Sequence, residues 1–128
     1  MPTRHIQPSS VHPTTGYSPA VVADGPLVHV SGQVAFDKER KLVGKGDIAA
    51  QAIQVYANLK AVLEAAGSGL DRIVKLTVYV TDPRFTPAVR EARSKFLKEP
   101  YPASTLVVVA GLAEPELLVE IEAVATAG

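Results

Sequence analysis

Ile73-Val74-Lys75-Leu76-Thr77-Val78-Tyr79-Val80 is an eight-residue run of aliphatic and β-branched residues alternating with Lys, Thr and Tyr. Side chains along a strand point to opposite faces with a period of two. The run therefore reads as a strand with Val74, Leu76, Val78 and Val80 on one face and Lys75, Thr77 and Tyr79 on the other. Upstream of it, Asp47 is a good N-cap for a helix running to Ala66 and stopped by Gly67. Ile48, Ala52, Val55, Leu59, Val62 and Ala66 recur at steps of three and four, an apolar stripe that covers something flat. Gln51, Gln54, Asn58 and Glu64 fall on the outer side. Downstream, Asp82-Pro83 breaks the strand, and Thr86-Pro87 opens a second helix with proline at its first turn. Val89, Ala92 and Phe96 form its buried stripe, and Pro100 and Pro102 end it.

Residues 105–110 and 117–126 read as two further strands, joined by a loop holding Glu114 and Pro115. On the N-terminal side, residues 1–16 form an arm, and residues 17–23 form the first regular stretch. After the turn Ala23-Asp24-Gly25-Pro26, residues 27–35 alternate like a strand. Val28, Val30 and Val34 share one of its faces; His29, Ser31 and Gln33 share the other. The order is β-β-α-β-α-β-β, an α+β chain expected to be a single domain over 1–128. Two helices can cover only one face of such a mixed sheet. The open face then carries Ser31, Gln33, Lys75, Thr77, Tyr79, Glu120 and Glu122, mixed with Leu27 and Leu118. That mixture suits a subunit interface with a ligand cleft at its rim, although a plain solvated face has the same alternation.

Composition narrows the function classes. The 128 residues carry 13 Lys and Arg against 13 Asp and Glu, so the formal net charge is zero. Lys38, Arg40, Lys41 and Lys45 cluster, but Asp37, Glu39 and Asp47 are interleaved with them. Nucleic-acid binding draws most of its affinity from phosphate contacts and stacking, and aromatics are 5% here with no Trp, so no nucleic-acid partner is expected. With no cysteine, disulfides and thiolate chemistry are excluded. No apolar stretch is long enough for a membrane helix, and the polar start has no signal-peptide character, so a cytoplasmic location is expected.

Six segments stand in order along the chain: Gly16-Tyr17-Ser18-Pro19-Ala20, Val30-Ser31-Gly32-Gln33-Val34, Asp47 through Gln51 to Ala65-Ala66-Gly67, the strand 73–80, Tyr101-Pro102-Ala103, and Val119-Glu120-Ile121-Glu122-Ala123-Val124-Ala125. Together they resemble the YjgF/RidA family of imine and enamine deaminases. The resemblance implies a chorismate-mutase-like two-layer subunit, a homotrimer, and small-molecule sites between subunits that use no cofactor. It also implies that Glu120 orients a water while Tyr17, Ser31 and Gly32 line the pocket. Archetypal members carry an arginine after the Pro-Ala pair that grips the substrate carboxylate. Here Pro102-Ala103 is followed by Ser104 and Thr105, both taken as pocket residues, and Leu106 stands where a cysteine is common. Arg90, at a helix position where the family often has a pocket asparagine, is the candidate for a relocated cation, the alternative being a surface arginine. Ser104 and Glu120 are expected to face each other across one cleft.

A bidentate guanidinium grip on a carboxylate cannot be reproduced by a hydroxyl. The sequence therefore points to an imine-deaminase-type hydrolase with altered substrate preference. The alternatives are a non-catalytic metabolite-binding trimer and, less well supported, a ribonuclease. Glu120 could instead be a strand acid paired with Lys75. His5, His12 and His29 show no convergent spacing, so no metal is expected, and no nucleophile triad is legible around Ser31, Ser104 and Thr105.

Overall fold

The computed structural model describes residues 3–127. Its elements in chain order are β1 (Arg4–Ile6), β2 (Ala20–Val22), β3 (Leu27–Gln33), α1 (Ile48–Ala65), β4 (Ile73–Val80), α2 (Thr86–Phe96), β5 (Ala103–Val108) and β6 (Val119–Thr126). Short 3-10 turns, Leu70–Arg72 and Pro83–Phe85, precede β4 and α2. From residue 17 onward this is the β-β-α-β-α-β-β order expected from the sequence. A short strand that the alternation does not single out, β1, lies inside the arm and pairs antiparallel with β2.

The main sheet runs β3-β6-β4-β5. β4 and β5 are parallel and connected through α2, and the other pairings are antiparallel, so the sheet is mixed. Both helices lie on one face. Tyr56, Leu59 and Leu63 of α1 pack with Leu76, Val80, Val119 and Ile121 of the two central strands, all fully buried. Burying each such side chain is worth about 1.5–3 kcal/mol before conformational entropy is counted. α1 begins where its cap says it should, with the Asp47 carboxylate accepting from the Ala50 N–H at 3.1 Å. It ends in a Schellman arrangement: Ser68 N–H reaches Leu63 O at 2.8 Å while Gly67 turns at φ 77.

The structure corrects three face assignments. β3 carries a bulge, because Val30 pairs with Ala123 while Gln33 pairs with Ile121. The extra residue moves Gln33 and the fully buried Ala35 to the face of Val30, and shifts Val34 off it. β4 has a second irregularity between Ile73 and Lys75, which puts Ile73, 4% exposed, in the core in place of Val74. On α1 the buried stripe is rotated by one residue: Gln51 is fully buried, while Val62 and Ala66 face outward. Gln51 is inside because loops fold over it, a consequence of tertiary structure that helical periodicity does not report.

Candidate functional site

A cleft of about 420 Å³ opens between α2 and the edge strand β5. Four residues expected at the site meet there: Tyr17, Arg90, Ser104 and Thr105. Parallel register explains how β5 divides its side chains. Ser104 pairs with the buried Leu76, so its side chain lies on the helix side of the sheet. Thr105 pairs with Thr77 on the open side, where its hydroxyl accepts from Lys75 Nζ at 2.8 Å. The Ser104 hydroxyl makes no hydrogen bond among the described residues. Arg90 is exposed at the rim.

Glu120 belongs to the other face. Antiparallel pairing sets it opposite Tyr79, and the β3 bulge brings Gly32 beneath it. The approach is so close that a Cβ on Gly32 would stand 1.9 Å from Glu120 Oε2. Only a residue without a side chain leaves that carboxylate its position. Ser31 is the exposed neighbour of Gly32 on the bulge. Lys75 donates to Thr105 instead, and the alternative Lys75–Glu120 pair is absent among the described residues. The nearby Glu122 instead accepts a hydrogen bond from Tyr79 Oη at 3.0 Å, which pushes the Tyr79 phenol up. Burial, and secondarily the charge of Glu122, push the Glu120 carboxyl above its ordinary range.

The expected site residues thus fall into two groups. Tyr17, Arg90 and Ser104 line the helix-side cleft, Ser31, Gly32 and Glu120 lie on the open face, and Thr105 borders the cleft while its hydroxyl turns to the open face. Within one chain Ser104 and Glu120 do not face each other, because their strands present them to opposite sides of the sheet. Residues not singled out from the sequence also line the cleft, notably Tyr56, Thr86 and Arg93. The i, i+3 spacing of Arg90 and Arg93 on α2 was the available signal for Arg93. Nothing comparable marked Tyr56, which lies beside the α1 stripe. Among the described residues no group of three or more His, Cys, Asp or Glu could hold a metal ion. No helix among them is long and apolar enough to cross a membrane.

Residues 7–127 match the family model described as Endoribonuclease L-PSP. A RutC family protein, UK114 of Drosophila melanogaster, is 38% identical over 120 residues, which are 94% of this chain and 86% of that protein. A RutC family protein of Pyrococcus horikoshii is also 38% identical, over 88% of each chain. Among solved structures, the Rid family protein YyfB of Yersinia pestis superposes with a TM-score of 0.91 at 39% identity, covering 98% of this chain and 99% of that one. RidA of an Antarctic Psychrobacter gives 0.74 at 38% identity, covering 96% and 98%.

Proposed function

From the premise that this chain belongs to the YjgF/RidA family, whose model is described as Endoribonuclease L-PSP, we propose that it is a homo-oligomeric small-molecule hydrolase of the imine and enamine deaminase type. Its sites lie between subunits, and its substrate preference departs from the archetype at Ser104. The observation that carries this reading is Glu120: an acid seated on Gly32, with a raised pKa and no ion pair among the described residues. Such a group can take a proton from water and return one to nitrogen. Water adds to the C=N carbon while Glu120 accepts its proton. The proton passes to nitrogen; the hydroxyl proton of the adduct then follows it as the C–N bond breaks, which releases ammonia and leaves a carbonyl. No metal or organic cofactor is needed for that balance.

The separation of the two residue groups supports an intersubunit site. A neighbour laying its open sheet face along the β5 edge would bring an acid like Glu120 to the cleft of Tyr17 and Ser104. Both edge strands carry exposed apolar residues that such packing would cover: Leu27 on β3, and Val107 and Val108 on β5, are 47%, 37% and 50% exposed. A homotrimer is the closed form the family resemblance favours. Light scattering in dilute buffer is expected to return about three times the 13.5 kDa chain mass; a stable monomer would sink both the oligomer and the shared site. Ammonia release from 2-iminopropionate generated in situ tests the chemistry. A trimer that binds carboxylates without turnover would instead be a binding protein, and cleavage of RNA without deamination would favour the ribonuclease reading.

A further inference from the structure

Two cations line the cleft between α2 and β5, and they are not equivalent. Arg90 is exposed, whereas Arg93, one turn further along, is half-buried. The place of the Arg93 guanidinium depends on Gly16, where a Cβ would stand 2.2 Å from a terminal nitrogen of Arg93. Gly16 also turns at φ +80, which glycine adopts without strain. Among the described residues the Arg93 guanidinium forms no ion pair and donates no hydrogen bond, so its donors are open to a ligand or to water.

Tyr56 closes the same cleft from α1. It is 1% exposed, and its ring stacks on Phe96 with centroids 5.4 Å apart. Its hydroxyl has no partner among the described residues, yet no fully buried side-chain oxygen there is left unpaired. The hydroxyl is therefore the atom that reaches the cleft. Burial pushes the phenol up to about 12 against a smaller opposing pull from Arg93, so it remains an O–H donor at neutral pH. The Ser104 hydroxyl, without a partner among the described residues, is a third donor, and no Asp or Glu lines this cleft; Glu99 lines the adjoining cavity on the Gly16 side, which Arg93 also borders, but does not pair with it. A planar guanidinium with no ion-pair partner and two hydroxyl donors matches a carboxylate.

We infer that Arg93, with the hydroxyls of Tyr56 and Ser104, is the group that holds a small carboxylate ligand, and that Arg90 is only a rim charge. The inference rests on the reading of this cleft as a ligand site, and it moves the relocated cation from Arg90 to Arg93. Pyruvate and its neutral analogue pyruvamide are the probes, titrated calorimetrically into the oligomer at low salt. Arg93→Met is expected to weaken pyruvate binding about ten- to a hundredfold and pyruvamide binding little, with Arg93→Lys in between. Arg90→Met is expected to cost about threefold or less, a loss erased by added salt, as befits a screened rim charge.

Pyruvate affinity unchanged in Arg93→Met, or a larger loss in Arg90→Met, overturns the assignment. Should Arg93→Met fail to fold, the wild-type Arg93 Nε–H resonance, identified by its loss in Arg93→Lys, decides: pyruvate must shift it and pyruvamide must not. A wild-type protein that binds no carboxylate at all sinks the ligand-cleft reading and this inference together. Binding that ignores Arg93 sinks this inference alone.

Discussion

Glu120→Gln is expected to leave the fold and assembly intact and to lower imine hydrolysis on the order of 10²- to 10⁴-fold, the usual worth of a positioned acid–base group. The amide has the shape of the carboxylate, so it still fits above Gly32, but it is a poor proton acceptor. The pH dependence follows from the same environment. Burial and the neighbouring Glu122 hold the Glu120 carboxyl above its ordinary range, so the native state keeps that proton more tightly than the unfolded chain does. Its ionisation then costs stability: the penalty is absent below the unfolded glutamate range, grows as pH rises through the folded value, and is constant above it. Thermal midpoints from about pH 4 to about pH 7 should therefore decline less in Glu120→Gln than in the parent. The acidic limb of the activity profile should sit above the ordinary glutamate range. Turnover that survives the substitution would make Glu120 structural and place the chemistry elsewhere.

Gln51→Leu is expected to be the most damaging substitution outside the site. The Gln51 side chain is fully buried and ties together three backbone groups. Its Nε2 donates to Gly44 O and Glu116 O, each at 3.0 Å, and its Oε1 accepts from Leu118 N–H at 2.9 Å. Leucine fills a similar volume but leaves two carbonyls and one N–H without partners, each at a cost of about 1–3 kcal/mol. After local relaxation the loss should be on the order of 3–5 kcal/mol, a large fraction of the roughly 5–15 kcal/mol typical of a domain. Denaturant unfolding of parent and variant measures it. A loss under about 1 kcal/mol would mean that water replaces the amide and that the loop before β6 is not held by Gln51.

The alternation of residues 73–80 and 117–126, the stripes on the two helices, and the Asp47 and Gly67 caps were enough to read the α+β order, the helix-covered face and the acids left on the open one. These are local signals: a period, a cap and a breaker each act within a few residues. The family was legible for a related reason, since its motifs are short and stand in order along the chain. The bulges in β3 and β4 were not legible, because an extra residue shows only in how a strand pairs with its neighbour. Gln51 looked like surface because helical spacing reports which residues share a stripe and says nothing of loops that cover the flank. Arg93 and Arg90 are alike in sequence, and only the close approach of Gly16 to one of them separates a half-buried guanidinium from a rim charge. Glu120 was legible as an open-face acid from the alternation of its own strand, but Ser104 lies just before the strand read at 105–110, and its side of the sheet depends on register with β4. Tertiary structure alone decided that register, and with it the place of Ser104 on the helix side, away from Glu120.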